Sequence, residues 1–234
     1  MKADLHARAI SKRYTSWMAL NHMSLTVSSA EAVGIIGPNG SGKSTLLSIL
    51  ARTTDPDSGT LLYRDDNLLA RRASDLVRLG ISRLFQLPRL CNELAAIENV
   101  GIANAVRGRL GSIARLASRK AISTESARCQ LDFVGFPADK ESVIAANLTH
   151  FERRLVEFAR AIEQKPNLFL LDEPTSGLTD TETEHICLLL EGLRAKGIAL
   201  VLVEHKSRVV ERCCDRIIEM AAGEISLQQT TARV

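Results

Sequence analysis

Nine consecutive residues, Gly37-Pro38-Asn39-Gly40-Ser41-Gly42-Lys43-Ser44-Thr45, constrain this chain more than any other stretch of it. They satisfy the pattern G-x-x-x-x-G-K-[ST]. They also lie between the apolar run Ala32 to Ile36, which reads as a buried strand, and Ser44 to Leu50, which reads as a helix. Glycines let successive backbone N–H groups curl around a polyphosphate, and the positive end of the following helix adds to the field at the same point. In that geometry Lys43 reaches the β- and γ-phosphates and the Ser44 hydroxyl ligates Mg²⁺.

A magnesium ion needs a hard oxygen partner across from the phosphates. The segment Leu168-Phe169-Leu170-Leu171-Asp172-Glu173 supplies one: an apolar strand closed by two acids. Asp172 is placed to hold Mg²⁺ through water. Glu173, one residue further out, is placed to polarise the attacking water as general base. Two adjacent acids ending such a strand are costly as plain core, which favours the chemical reading.

Strand and helix signals alternate around these motifs. Asn21 to Val27 (NHMSLTV) alternates as a strand does, Asp55 to Gly59 is a turn cluster, and Thr60 to Tyr63 suits a peripheral strand. Residues from about 87 to 164 are mainly helical in pattern. Thr181 to Lys196 reads as a helix with Ile186, Leu189, Leu190 and Leu193 on one face and Gly197 at its C′ position. Ile198 to Val203 is apolar throughout, as a strand covered on both faces is. Alternation of this kind implies an α/β fold with a parallel, doubly covered sheet and a helical insertion.

Composition narrows the class. At 234 residues, with 45% hydrophobic and 24% charged residues, the chain can bury one sizeable core without staples. The five cysteines (Cys91, Cys129, Cys187, Cys213, Cys214) show no metal-ligand spacing and suit reduced thiols, with Cys213 and Cys214 as packing residues. MKADLHARAISKRY lacks a signal-length apolar stretch, and no run reaches the ~18 apolar residues of a membrane span, so the expectation is a chain neither secreted nor membrane-integral. A net charge of only +3 gives no argument for nucleic acid. Between Glu98 and Glu125 there is no acid, and Arg107, Arg109, Arg115, Arg119 and Lys120 accompany Val106, Leu110, Ile113 and Leu116. That stretch reads as an amphipathic helix with a solvated basic face, or one lying against anionic headgroups.

Phe85-Gln86 between the two motifs, and Pro174-Thr175-Ser176-Gly177-Leu178 and His205 after them, stand in an order that resembles the ATP-binding subunits of ABC transporters over nearly the whole chain. The resemblance implies a P-loop NTPase fold: an α/β domain with a mostly parallel sheet, flanking helices, a small antiparallel β subdomain and a helical subdomain. It implies one domain over 1–234, with a nucleotide-binding core at 1–86 and 165–234 and a helical subdomain at 87–164. ATP and Mg²⁺ are the implied cofactors, and ATP hydrolysis the activity. Gln86 would approach Mg²⁺ and the attacking water and report on the membrane partner, His205 would contact the γ-phosphate, and Tyr14 would stack on adenine, with Trp17 the next candidate. Gly80 to Leu90 followed by Ile97-Glu98-Asn99-Val100 resembles, more narrowly, the importers of branched-chain amino acids and their urea and amide relatives.

The family carries an L-S-G-G-Q signature that contacts the ATP on the opposing subunit. The aligned segment here is Leu148-Thr149-His150-Phe151-Glu152, which keeps a hydroxyl and loses both glycines. His150 and Phe151 put bulk where backbone approaches phosphate. The same residues form a capping box, Thr149-x-x-Glu152, with Phe151, Leu155, Phe158, Ala159 and Ile162 on the apolar face of the helix it starts. Thr179 stands where the family usually has aspartate, and the C-terminus is short for the importers. The implied partners are a second, different ABC ATPase subunit, membrane permease subunits and, through them, a solute-binding protein. The implied location is cytoplasmic, peripheral on the inner face of the membrane. Rival readings are a regulatory, weakly hydrolysing ABC subunit and a soluble ABC ATPase outside transport.

Overall fold

The computed structural model describes residues 3–107 and 125–231. Ten strands are formed among them: β1 (Ala3–Tyr14), β2 (Trp17–Ser28), β3 (Ala32–Ile36), β4 (Ser58–Tyr63), β5 (Asp66–Asn67), β6 (Ile81–Leu84), β7 (Leu168–Asp172), β8 (Ala199–Val203), β9 (Arg216–Ala221) and β10 (Glu224–Thr230). The six α-helices among the described residues are α1 (Lys43–Leu50), α2 (Ala96–Arg107), α3 (Glu125–Phe133), α4 (His150–Glu163), α5 (Asp180–Ala195) and α6 (Ser207–Cys213). The basic stretch read between Glu98 and Glu125 has its residues 108–124 outside this set.

Two sheets organise the chain. The larger has the order β10-β9-β3-β8-β7-β6, parallel from β9 to β6 with β10 antiparallel at one edge. The smaller, β2-β1-β4-β5, is antiparallel. This matches the expected P-loop NTPase architecture. The uninterrupted apolar strands are explained by cover on both faces. Leu168, Leu170, Val201 and Val203 pack into one core with α1 and the antiparallel sheet. Their neighbours Phe169, Leu171, Leu200 and Leu202 pack into a second core with α4 and α5. Each such side chain, withdrawn fully from water, contributes about 1.5–3 kcal/mol. Cys187, Cys213 and Cys214 are buried in the second core, as packing residues.

Local rules set the helix ends. Thr179 caps α5 by accepting the Glu182 N–H, Glu182 reaches back to the Thr179 N–H, and Gly197 at φ 83° lets the chain leave the helix. Thr179 therefore has a structural task at the position where the family usually places aspartate.

Candidate functional site

The parallel strands deliver their C-terminal ends to one edge of the sheet, where ligands of α/β folds collect. At the end of β3 the chain turns through Gly37 (φ 146°), where a Cβ would lie 2.2 Å from the Met220 carbonyl. It enters α1 through Gly42 (φ 101°), where a Cβ would lie 2.3 Å from the Ala19 carbonyl. Only glycine satisfies both the positive φ and the close approach. No side chain caps α1, so its first N–H groups face the loop interior.

Residues 39–45 line a cavity of about 250 Å³ together with Trp17, Glu173 and His205. Lys43 is buried, and its Nζ donates to the carbonyls of Gly37 (2.7 Å) and Pro38 (2.9 Å). Burial pulls its pKa below the ordinary lysine value, against the opposing pull of Glu173 and Asp172. Ser41 Oγ is buried without a hydrogen-bond partner among the described residues. An orphaned hydroxyl, an uncapped helix start and a folded-in ammonium together fit a polyphosphate. The two acids at the end of β7 fit its divalent cation.

Glu173 is the centre of the cluster. It sits at φ 45°, a strained position for a side chain. Its Oε2 accepts from Gln86 Nε2 at 2.8 Å, and its Oε1 lies 2.8 Å from His205 Nε2. Three of the residues singled out from sequence are thus brought together. Asp172 Oδ2 is 3.2 Å from Arg83 Nη2, a partner not anticipated from sequence. Tyr14 does not line the cavity; the aromatic there is Trp17, and Tyr14 stacks on it with centroids 5.7 Å apart and planes at 30°. The tight β1–β2 turn pairs the two residues in register.

Three ionisable residues beyond the sequence reading organise the surroundings. Arg154, fully buried in α4, donates to the Phe85 and Gln86 carbonyls and pairs with Glu157 at 2.7 Å. Burial pushes the Glu157 carboxyl up, with Arg154 opposing. Glu204 accepts from the Thr175 N–H and hydroxyl and from the His205 N–H, tying the segment after β7 to the one after β8. The sequence signal for Arg154 is a charge in the apolar stripe of Phe151 and Phe158. For Glu204 it is an acid closing an apolar strand, as Asp172 does.

The signature-aligned segment starts α4. Thr149 Oγ1 accepts the Glu152 N–H at 3.2 Å, Glu152 Oε2 accepts the Thr149 N–H at 2.8 Å, and Lys140 Nζ donates to Glu152 Oε1 at 2.5 Å. Leu148 is buried in the core. His150 is exposed, with Nε2 3.2 Å from the Ser176 carbonyl. Of the two bulky residues expected where backbone approaches phosphate, Phe151 lies instead on the apolar face that the helix pattern gave it: it is half-buried and edge-on to His185 at 5.3 Å. The apolar stripe of α4 draws it inward.

Residues 20–176 match the family described as ABC transporter. The high-affinity branched-chain amino acid transport ATP-binding protein LivG of Escherichia coli K12 is 31% identical over 226 residues, covering 94% of this chain and 88% of that protein. The ribose import ATP-binding protein RbsA of Rhodococcus jostii is 32% identical over 219 residues, covering 94% of this chain; the chain spans only 42% of that relative's length. Among solved structures, an ATP-binding cassette dimer in a post-hydrolysis state with ADP and Pi superposes with a TM-score of 0.85 at 26% identity, covering 98% of this chain and all of that one. A nucleotide-free cassette gives 0.85 at 26% identity, covering 99% and 92%. With its phosphate loop, paired acids and sheet order in this arrangement, the chain belongs to the ABC transporter family of ATP-binding cassettes.

Proposed function

We propose that this chain is a Mg²⁺-dependent ATP hydrolase that drives an importer, built as a nucleotide-binding core (1–86 and 165–234) carrying a helical subdomain (87–164). The observation behind this reading is the setting of Glu173, whose two oxygens are held by Gln86 and His205 at the wall of the phosphate-loop cavity. A carboxylate oriented in that way is suited to take a proton from water aimed at the terminal phosphate. Lys43 and backbone N–H groups of 39–45 would hold the phosphates, Trp17 backed by Tyr14 would flank the base, and Ser44, Asp172 and Gln86 would hold Mg²⁺. The ion, when bound, neutralises charge on the transferring phosphate.

The proposed cargo is a branched-chain amino acid or related small polar solute. Support comes from the near full-length match to a branched-chain amino acid relative, against a match to less than half of the ribose import relatives, and from the Gly80 to Leu90 segment. Among the described residues no helix is long and apolar enough to cross a membrane, so permease subunits are the proposed membrane partners. The proposed site of action is the cytoplasmic face. The closed capping box of α4 favours a pair with a different ATPase subunit, and keeps a weakly hydrolysing regulatory role as the second reading.

Lys43→Ala and Glu173→Gln separate the roles. Equilibrium ATP binding should weaken in the first and persist in the second, with turnover lost in both. Equal loss of binding in the two variants would count against Glu173 as the base.

A further inference from the structure

We propose that Arg83 is a positioning residue for the metal site: it orients the Asp172 carboxylate and offsets part of its charge. This rests on the reading of Asp172 as a magnesium-holding residue. Strands β6 and β7 run parallel with Arg83 opposite Leu170, so Arg83 starts two residues short of Asp172 and reaches along the sheet edge to it. The guanidinium is fixed on several sides. Its Nη2 lies 3.2 Å from Asp172 Oδ2 and 3.4 Å from Ser48 Oγ, its Nη1 donates to Thr53 Oγ1 at 3.0 Å, and its Cζ lies 4.6 Å from the centre of the Phe85 ring. The two paired side chains are only 13% and 12% exposed.

Two further observations place this fork beside the cation rather than in generic core. Ser48 follows Ser44 by four residues on α1, so the hydroxyl that contacts Arg83 and the one assigned to Mg²⁺ share a helix face. A cavity of about 410 Å³ opens between Ser48, Arg83, Gln86 and Asp172. Arg83 Nε is buried without an acceptor, so the side chain gives up one hydrogen bond while Nη2 is held on Asp172 and Nη1 on Thr53.

The consequences have opposite signs. With Oδ2 held, Oδ1 points in a fixed direction, which reduces the reorganisation required when the ion arrives with its nucleotide. A fixed positive charge beside a dication also repels it, an effect of about tenfold in affinity for partly solvated charges at this range. Replacing a merely structural arginine would lower metal affinity and turnover together.

The test uses the full chain with saturating ADP and Mn²⁺ as probe, followed by loss of the free-ion EPR signal, alongside ATP turnover. Arg83→Met should bind Mn²⁺ about tenfold more tightly while turnover falls about tenfold. Arg83→Lys keeps the charge and loses the fork: Mn²⁺ affinity should stay within about twofold while turnover falls. Unchanged or weaker Mn²⁺ binding in Arg83→Met overturns the proposal, as does unchanged turnover in both variants. If the methionine variant does not fold, the lysine variant decides by the same turnover criterion. Asp172→Asn isolates the underlying reading. Wild-type Mn²⁺ binding there removes Asp172 from the metal site, whereas lost binding there with no effect of Arg83→Met overturns the Arg83 role alone.

Discussion

Two helix starts in this molecule, α1 after the phosphate loop and α4 at the signature-aligned segment, are built in opposite ways. Helix α1 begins at Gly42 with no side-chain cap, beside an orphaned Ser41 hydroxyl, so its donors are available to a ligand. Helix α4 begins with Thr149 and Glu152 satisfying each other and Lys140 paired with the glutamate, so two of its donors, the Thr149 and Glu152 N–H groups, are already occupied from within. An open helix start attracts an anion; one closed by its own carboxylate presents negative charge where the anion would sit. The α1 start is therefore open to an anion, and the α4 start is closed by its own side chains.

The largest effect should come from breaking that asymmetry in the proposed pair. In a native heterodimer this chain's Lys43 would face the partner's signature, and the partner's phosphate loop would face His150 and Glu152. Lys43→Ala should lower ATPase by roughly 10² to 10³, extrapolating from loss of one preorganised donor at a reacting centre. The matching lysine change in the partner should cost far less. Equal losses, or brisk hydrolysis by this chain as a homodimer, would show that Leu148 to Glu152 still works as a signature.

The two regions are joined through Arg154, whose fork on the Phe85 and Gln86 carbonyls fixes the loop that holds Glu173 to the helix that carries the signature segment. Arg154→Met leaves Glu157 buried without its guanidinium, with the Arg89 N–H as its remaining hydrogen bond, an expected loss of ~3 kcal/mol in urea unfolding. Adding Glu157→Leu should recover much of the stability, because a buried pair can be replaced by apolar groups of similar volume. Turnover should stay low, since the Gln86 loop has lost its tether. Full recovery of turnover in the double variant would confine Arg154 to stability.

On the nucleotide side, Trp17→Ala should weaken ATP by ~1 to 3 kcal/mol, by analogy with base stacking in nucleic-acid sites. Trp17→Phe should bind nearly as well as wild type. Tyr14→Ala should cost less than Trp17→Ala, because Tyr14 acts through the ring it stacks on. The reverse order, measured by equilibrium ATP binding, would return the base contact to Tyr14.

The parts of the fold that were legible are those whose physics is local. AVGII and LFLLD read as strands because cover on both faces demands an unbroken apolar run. The phosphate loop read as a site because its glycines serve conformation and approach at once. Strand β1 was not legible: its buried residues Leu5, Ala7 and Ile10 change phase across a register shift at Ala9, which sits at φ 49°, so period two fails within the strand. The Arg83–Asp172 pair depends on the register of two strands more than eighty residues apart in sequence, which no short window contains, whereas the inward turn of Phe151 was legible in the apolar stripe of its helix.

The smallest effect gives the cleanest test of the two helix starts, because the protein carries its own control. Helices α4 and α5 both open with a Thr-x-x-Glu box, Thr149 with Glu152 and Thr179 with Glu182. Replacing either threonine by alanine removes one cap acceptor and should cost ~1 kcal/mol of stability. If the α4 box serves stability alone, Thr149→Ala and Thr179→Ala should match in unfolding and leave turnover alike. Should Thr149 also touch the partner's nucleotide, turnover would drop for Thr149→Ala only, at the same stability cost. Acid adds a second axis. Burial would raise the Glu152 carboxyl, but Lys140 and the Thr149 N–H and hydroxyl outweigh it and hold its pKa below the ordinary glutamate value. A depressed carboxylate contributes stability that is present above its unfolded value and lost as pH falls through the lower folded one. Lys140→Met should shrink that contribution, so the variant and the wild type should differ in unfolding at neutral pH and converge in acid. A constant difference down to low pH would detach Glu152 from the stability of the α4 start.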